Sequence, residues 1–232
     1  MLQEVWLDRA SHYGYLGNIY KGSVSRVLPG MQAAFVDIDL ERTAFLHASD
    51  IFRKDPGMVA NGDPAEAGCE PQISELVREN AEVVVQVIKD PIGTKGARLT
   101  TNLSIPSRFL VLLPGTGTIG VSVRIEDEAE RERLKSLVQL LSNDAEGHGY
   151  IVRTNAEGMD EFALAADMAY LGKVWNGVKD KSTTATPGDC IYEELSLPLR
   201  TLRDLMHSEV DKVRIDSIDG FEHVKEFVGS FV

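Results

Sequence analysis

The sequence predicts an α+β protein that contains more than one folding unit. In its first half, short runs of apolar and β-branched residues are separated by glycine and proline, which indicates a small β-barrel. In its second half, two long amphipathic segments alternate with shorter apolar runs in the order β-β-α-β-α, which favours a small α+β unit. At 232 residues, the chain is long enough for one large domain or for two to three small ones.

The barrel is predicted for residues 17–103. GNIYKGSVSRVLPGMQAAFVDIDLERTAFLHASDI alternates apolar and polar residues about a Pro29-Gly30 turn, and AEVVVQVIKD is rich in β-branched residues, so both predict strands. ISELVREN predicts a short helical turn, and PIGTKGARLTTNLSI predicts a glycine-hinged turn followed by a strand. Between these segments, FRKDPGMVANGDPAEAGCEP is long for a connection and is expected to be a flexible surface insertion.

The α+β unit is predicted for residues 104–186. RFLVLLP and GTGTIGVSVRI predict two strands, and GYIVRTNAEG predicts a third that ends in a polar turn. EDEAERERLKSLVQLLS predicts an amphipathic helix, because acidic residues crowd its first turns and its apolar residues form one stripe. MDEFALAADMAYLGKVWNGVKDK predicts a second long helix, and STTATPGDC has the composition of a linker.

The two ends of the chain are short segments that cannot bury much surface alone. Residues 1–16 contain one candidate strand, LQEVWL. Residues 187–232 contain a candidate helix in LSLPLRTLRDLM, a strand in VDKVRIDS and a helix in GFEHVKEFVGSFV. Since a strand needs neighbours, we expect the two ends to complete each other in space. We also expect both ends to be cut pieces of a longer protein.

Charge and composition argue against several classes of protein. The formal net charge of −12, from 36 acidic and 24 basic residues, disfavours non-specific adhesion to nucleic acid, so RNA binding would need a few well-placed groups. MLQEVWLDRA lacks the features of a signal peptide, and no apolar run approaches the length of a membrane span. Cys69 and Cys190 form no CxxC pair, which argues against a disulfide scaffold or a zinc site and favours a reducing cytoplasm.

The sequence contains no motif of a self-contained catalytic site. The five histidines are scattered and form neither an HExxH nor a Ser-His-Asp pattern, and GTGTIG lacks the spacing and context of a dinucleotide fingerprint. The acidic run EDEAERERLK is explained by the helix dipole and by solvation, so no metal site is expected there. We therefore predict neither catalytic nor metal-binding residues in this sequence.

Two phenylalanines are candidates for contacts with nucleic-acid bases. Phe35 and Phe45 are ten residues apart on either side of a turn. In a five-stranded barrel, two such positions can come together on the outer face, where bases stack on them. A phenylalanine in a strand is more often part of the core, so the spacing alone leaves both alternatives open.

Cationic side chains in turns and at strand ends are candidates for phosphate contacts. Lys95 lies between two glycines in GTKGAR, with Arg98 on the following strand, and such a lysine is either a phosphate ligand or a solvated loop charge. Weaker candidates of the same kind are Lys21 and Arg26, the latter equally suited to a surface ion pair. Arg153 and Thr154 end a strand at a turn, where a guanidinium fork and a hydroxyl suit a phosphate, although arginine is common on any surface.

Five blocks of sequence occur in the order GNIYKGSVSRVLPGMQAAFVDI, AFLHASDI, KDPIGTKGARLTT, RIEDEAERERLK and VRTNAEG. Together they resemble the ribonuclease E and ribonuclease G family of bacterial endoribonucleases, closer to its ribonuclease G branch, over nearly the whole chain. The resemblance implies an OB-fold RNA-binding domain of the ribosomal S-one type for residues 17–103 and a 5′-end sensor for residues 104–186. It also implies parts of a ribonuclease-H-like subdomain in residues 1–16, with its first strand missing, and in residues 187–232, which would be truncated.

The resemblance assigns roles to individual residues. Phe35, Phe45 and Lys95 would form the RNA-facing surface of the barrel, and Arg153 with Thr154 would bind a 5′-terminal monophosphate. The residues that would border this pocket or the RNA path are Ser107, Val111 and Arg124. Val111 would contribute packing or backbone contacts, since its side chain carries no polar atom. Val123 is apolar where members of the family can be polar.

The function implied by the resemblance is RNA recognition within an endoribonuclease of RNA processing and decay. The chain would bind single-stranded RNA that carries a 5′-monophosphate. In the family, a later domain cleaves RNA with magnesium held by two aspartates, and a later cysteine motif shares zinc between subunits. We therefore expect this chain to be inactive, cofactor-free and monomeric, and the full-length parent to be an oligomeric hydrolase. The alternatives are a stand-alone RNA-binding regulator and a structural module whose acidic surface binds protein.

Overall fold

A computed structural model describes residues 5–7, 14–53, 71–142, 147–206 and 210–231, and the structural statements below refer to these residues. They form two β-sheets and five α-helices, which confirms the α+β prediction. The strands are β1 (Ile19–Leu28), β2 (Ala33–Asp37), β3 (Ala44–His47), β4 (Glu82–Lys89), β5 (Arg98–Thr100), β6 (Ile105–Pro106), β7 (Leu110–Leu113), β8 (Ile119–Val121), β9 (Gly149–Val152) and β10 (Cys190–Tyr192). The α-helices are α1 (Ile73–Leu76), α2 (Glu128–Leu141), α3 (Glu161–Thr184), α4 (Leu197–Leu205) and α5 (Ile218–Phe231).

Strands β1 to β5 form a closed barrel in the order β1-β2-β3-β5-β4, with β4 pairing back to β1. Closure depends on β1, which pairs with β4 in its first half and with β2 in its second half. Its register with β2 shifts between Val24 and Arg26, and a bulge of this kind bends a strand and increases its twist. Gly22 lies beside the point where the two pairings meet, and a Cβ atom there would be 2.6 Å from Val36 Cγ1. Most of the expected surface insertion, residues 54–70, lies outside the described residues.

Strands β6, β7, β9 and β8 form the second sheet in that spatial order, and α2 and α3 pack against it. The order β7-β8-α2-β9-α3 along the chain is the predicted one, preceded by the short strand β6. Helix α2 begins after Asp127, whose carboxylate accepts a hydrogen bond from Ala129 N at 2.9 Å. The core between the layers includes Leu110, Leu112, Leu134, Val138, Leu164 and Leu171. Each of these buried side chains stabilises the fold by roughly 1.5–3 kcal/mol relative to exposure.

The segment after α3 connects the two units. Strand β10 pairs with the start of β1, and Ile191 is buried with Ile19 in the core of the second unit. Helix α3 continues to Thr184, so the first residues of STTATPGDC are helical, and the linker expected there is shorter than predicted. Helix α4 carries Pro198 in its first turn, where the missing N–H of proline costs no helical hydrogen bond.

The strand predicted in VDKVRIDS is wrong, because residues 210–217 belong to neither sheet. Their alternation of apolar and charged residues satisfies the pattern of a strand. However, the part of the chain that the structure describes places no strand beside them, and an unpaired strand leaves its backbone groups unsatisfied. Of the candidate strand LQEVWL, only residues 5–7 are described, and they are not in a strand either.

Candidate nucleic-acid interface

Phe35 and Phe45 form a pair on the outer face of the barrel. They are directly opposite each other in the β2–β3 ladder, with ring centroids 6.3 Å apart and ring planes at 69°. The residues on either side of them point into the core: Ala34, Val36, Ala44 and Leu46 are fully buried. Since side chains alternate between the faces of a strand, this burial excludes the core alternative for the two phenylalanines.

A cavity of about 990 Å³ extends from the phenylalanine pair between two loops of the barrel. The β2–β3 turn supplies Arg42, and the β4–β5 turn supplies Lys95. Also at the wall are Lys89 and Arg98. Aromatic rings beside cationic side chains are the combination that holds the bases and the backbone of single-stranded nucleic acid.

The Lys95 turn lies close against β3. Ile92 and Lys95 exchange backbone hydrogen bonds of 3.2 and 3.0 Å, which close the turn. Gly96 follows at a position where a Cβ atom would collide with the Thr43 carbonyl, so only glycine allows this approach. The described part of the chain provides no partner for the Lys95 ammonium group. Lys95 therefore presents its charge to the cavity.

Two other cations of the cavity, Arg98 and Arg42, have internal partners. Arg98 pairs with Asp50 through Nε at 2.9 Å and Nη2 at 2.8 Å, so much of its charge is neutralised. Arg42 Nη1 donates to the Gly93 carbonyl and links the two loops. Arg42 and Lys89 were not predicted from the sequence as wall residues. Barrel closure brings the β2–β3 turn, which carries Arg42, and the end of β4, which carries Lys89, to the same cavity, and no local sequence pattern indicates this.

Lys21 does not line the cavity. Its Nζ donates to the Ala185 carbonyl at 2.9 Å and pairs with Glu82 at 3.0 Å, so it joins the end of α3 to the barrel. Arg26 is exposed and lies opposite Phe35 in the β1–β2 ladder. The structure therefore brings together Phe35, Phe45, Lys95 and Arg98, and leaves Lys21 apart.

Arg153 follows β9 in the second unit and is held from two sides. Its Nη1 donates to the Ser107 carbonyl and to Asp204 Oδ1 at 2.8 Å, and its Nη2 donates to Asp204 Oδ2 at 3.2 Å. Asn155 Nδ2 donates to the Asp204 carbonyl at 3.1 Å. The predicted neighbours Ser107 and Arg153 are thus in contact, and Asp204 of α4 joins them.

Ser107 is held in place by a buried carboxylate. Its hydroxyl donates to Asp167 Oδ1, while Phe109 N and Leu110 N donate to Asp167 Oδ2 at 3.0 and 2.9 Å. Burial raises the pKa of the Asp167 carboxyl above its ordinary value, although these hydrogen bonds act in the opposite direction. The Ser107 hydroxyl is therefore engaged internally, and its carbonyl is the group that contacts Arg153.

Three further predicted residues lie in the second unit. Thr154 opens the 3-10 turn Thr154–Ala156 directly after Arg153 and is half-buried. Val111 lies in β7 opposite Ile151, one register step from the end of β9. Arg124 is exposed in the segment between β8 and α2, and its backbone N donates a hydrogen bond to Ser122 Oγ at 3.3 Å.

No helix among the described residues is long and apolar enough to cross a membrane. The same residues contain no group of three or more histidine, cysteine, aspartate or glutamate side chains placed to hold a metal ion.

A closed five-stranded barrel with an outward aromatic pair and adjacent cations defines an OB-type nucleic-acid-binding domain. Comparison with known families agrees: the S1 RNA binding domain matches residues 16–100, and the ribonuclease E/G family matches residues 104–232. The chain belongs to the ribonuclease E/G family, and its barrel is an S1-type RNA-binding domain.

Individual relatives match over all or nearly all of the chain. Ribonuclease G of Escherichia coli (strain K12) is 49% identical over 232 residues, covering 100% of this chain and 47% of the relative. Ribonuclease G of Haemophilus influenzae is 46% identical over 237 residues, covering 100% of this chain and 46% of the relative. Ribonuclease E of a Nostoc species is 36% identical over 228 residues, covering 98% of this chain and 31% of the relative. The chain thus spans about half the length of its ribonuclease G relatives.

Proposed function

We propose that this chain is the RNA-recognition region of a ribonuclease-G-like endoribonuclease, and that it binds single-stranded RNA and recognises a 5′-monophosphate end. The observation that carries the RNA-binding part is the outward pair of Phe35 and Phe45 beside Lys95, whose ammonium group has no partner among the described residues. One base stacks on the aromatic pair, and the lysine contacts the backbone of the same strand.

The 5′-end part of the proposal rests on the geometry around Arg153. A terminal monophosphate carries more negative charge than an internal diester and exposes three acceptor oxygens. Arg153 supplies a planar fork of donors, and Thr154 adds a hydroxyl at the adjacent position. A 5′-hydroxyl offers none of these oxygens, so the site would distinguish an RNA with a 5′-monophosphate from an otherwise identical RNA with a 5′-hydroxyl.

The experiment compares two RNAs that differ only at the 5′ end, one with a monophosphate and one with a hydroxyl, at one salt concentration. The unmodified chain should bind the monophosphate RNA more tightly. Arg153→Ala should remove most of the preference, since a lost charge-assisted hydrogen bond costs roughly 1.5–3 kcal/mol. Thr154→Val should cost less, because it keeps the shape of the side chain.

The matched control is Arg78→Ala, which removes an exposed arginine near the barrel. It should leave the preference unchanged. Equal affinities of the unmodified chain for both RNAs would contradict 5′-end recognition, and an Arg153→Ala variant that weakens both RNAs alike would make Arg153 a general backbone contact.

The activity of the whole protein is part of the same proposal. The parent would hydrolyse RNA through a magnesium-dependent domain, with zinc-mediated assembly, in the cytoplasm, and this chain by itself would not cleave RNA. Incubation of the chain with magnesium and a 5′-monophosphorylated single-stranded RNA should yield no products. Specific cuts that persist through further purification and disappear with a chelator would refute this part of the proposal.

A further inference from the structure

We propose that Asp204 is a positioning residue for the 5′-end site. It binds Nη1 and Nη2 of the Arg153 guanidinium, so that the edge formed by Nε and Nη2 is presented to the terminal phosphate. This inference rests on the proposed function, because it explains how Arg153 acts in 5′-end recognition. Asp204 lies in α4, 51 residues from Arg153 in sequence.

The hydrogen bonds of Arg153 use three of the five N–H groups of its guanidinium. Asp204 accepts from Nη1 and Nη2 through its two oxygens, which is a bidentate pair on the end of the guanidinium. The Ser107 carbonyl accepts the second hydrogen of Nη1. The donors left are Nε–H and one hydrogen of Nη2, for which the described part of the chain offers no acceptor. These two N–H bonds point in nearly the same direction from a rigid plane, and this edge fits two oxygens of one phosphate.

Asp204 is itself fixed independently of Arg153. Arg203 Nε and Nη2 donate to its two oxygens at 3.0 and 3.2 Å. Arg203 is only 6% exposed and also donates to the Pro106 carbonyl at 3.2 Å and to Glu194 at 3.3 Å. Partial burial alone would raise the pKa of the Asp204 carboxyl, but hydrogen bonds from Arg153 and Arg203 and their charges hold it below its ordinary value. The carboxylate is therefore an ionised anchor whose position is set by α4.

This arrangement differs from an ordinary surface ion pair. The side chains of Arg153 and Asp204 are 26% and 18% exposed, so the pair is partly shielded from solvent. An arginine held along one edge loses little further rotamer freedom when its other edge binds a ligand, because the ion pair has already restricted the conformations of the side chain. Asp204 would thus raise the affinity of the site for a phosphate even though Asp204 and the phosphate are both negatively charged.

The test is Asp204→Asn in the full chain, measured with the same pair of monophosphate and hydroxyl RNAs. The substitution keeps the shape of the side chain but replaces one acceptor with a donor, so Arg153 loses its bidentate partner. We expect the monophosphate preference to fall about tenfold while the affinity for the hydroxyl RNA changes less than twofold. Asp204→Glu keeps the charge and should restore part of the preference. The control is Glu128→Gln, which makes the same charge change at an exposed ion pair with Arg131.

A second measurement separates positioning from general support of the fold. In the unmodified chain the Arg153 Nε–H resonance, assigned by its loss in Arg153→Lys, should be sharp and shift on addition of the monophosphate RNA. In Asp204→Asn it should broaden before any RNA is added. If Asp204→Asn does not fold, the Asp204→Glu variant provides the same two readouts with a smaller expected change.

The outcomes are distinct. An unchanged or increased monophosphate preference in Asp204→Asn would overturn the inference, an increase showing that Asp204 competes with the phosphate. Equal loss of affinity for both RNAs would also overturn it and assign Asp204 a structural role. If the unmodified chain has no preference between the two RNAs, the result contradicts the proposed 5′-end recognition and therefore also the role of Asp204.

Discussion

The two candidate RNA contacts of this chain are built in opposite ways. The barrel site consists of side chains that have few internal partners: an aromatic pair from adjacent strands and a lysine at the tip of a turn. Arg153 is held by internal hydrogen bonds to two other segments, with the Ser107 carbonyl on one side and the Asp204 carboxylate on the other. This difference matches the tasks proposed for them. Stacking tolerates any base and many positions, whereas recognition of one terminal group needs a fixed fork.

The comparison predicts that the two sites respond differently to mutation. Changes in the barrel site should affect RNA affinity and leave stability almost unchanged. Changes in the network behind Arg153 should affect stability as well, because its members are buried and leave unsatisfied groups when removed.

The largest effect is expected for Asp167→Ala. The substitution leaves the Ser107 hydroxyl and the Phe109 and Leu110 N–H groups without their acceptor, and the unfolding free energy should fall by about 3–5 kcal/mol. Thermal or urea unfolding measures it. Asp180→Ala, an exposed position on the same helix, is the control and should change the unfolding free energy by less than about 0.5 kcal/mol. A loss no larger than that of the control would mean that solvent replaces Asp167.

The pH dependence sharpens this prediction. The folded-state pKa of Asp167 is raised above its ordinary value of 3.8, so the folded chain binds this proton more tightly than the unfolded chain. The contribution of Asp167 to stability is therefore greatest below pH 3.8 and declines as the pH rises through the folded-state pKa. Asp167→Asn cannot titrate, so its stability relative to the unmodified chain should increase over that interval. A constant difference across the interval would contradict the raised pKa.

Phe35→Ala and Phe45→Ala should each weaken binding to single-stranded RNA by about 1–3 kcal/mol, because one stacking partner is lost. The melting temperature should change little, since both rings lie on the outer face. A core phenylalanine would instead cost about 3–5 kcal/mol of stability. If either variant unfolds readily while its folded fraction binds RNA normally, the stacking role is wrong.

Lys95→Ala and Lys21→Ala separate an RNA contact from a structural lysine of the same barrel. Lys95→Ala should weaken binding to all single-stranded RNAs about equally. The slope of the logarithm of the binding constant against the logarithm of the salt concentration (the salt slope) should decrease in magnitude by about 1. Lys21→Ala should lower the melting temperature, because it removes the hydrogen bond to Ala185 and the pair with Glu82, and should leave the salt slope unchanged. The reverse pattern would exchange the roles of the two lysines.

The barrel site could be predicted from the sequence further than the Arg153 site could. Strands β2 and β3 are neighbours in the chain, so the ten-residue spacing of Phe35 and Phe45 indicated that the two rings can come together on the outer face, although it left a core position open. Asp167 and Asp204 were not predicted, because their contacts join residues 51 to 60 apart and neither lies in a motif. The incorrect strand in residues 210–217 has a related cause: alternation shows which side chains are apolar but not whether a partner strand is available.

The smallest effect is expected for Glu130→Gln, which loosens the loop that carries Thr154. Glu130 accepts hydrogen bonds from Arg133 at 2.6 and 2.7 Å and from Gly158 N at 2.8 Å, so it ties α2 to the end of that loop. The hydrogen bond from Arg133, followed by that from Gly158, lowers the pKa of Glu130 from 4.5 to about 2. Because the folded-state pKa is lowered, the stabilising contribution is present above pH 4.5 and is lost as the pH falls toward 2.

Glu130→Gln should therefore reduce stability by only about 0.5–1 kcal/mol at pH 7, since solvent reaches the pair from the side of Arg133, whose side chain is 39% exposed, and screens it. The difference from the unmodified chain should shrink as the pH is lowered from 4.5 toward 2, as followed by urea unfolding at each pH. If a fixed geometry at the Arg153 site matters, the same variant should slightly lower the monophosphate preference and leave stacking on the barrel unchanged. A stability difference that persists at the acid end would show that the shape of the side chain, and not its charge, holds the loop.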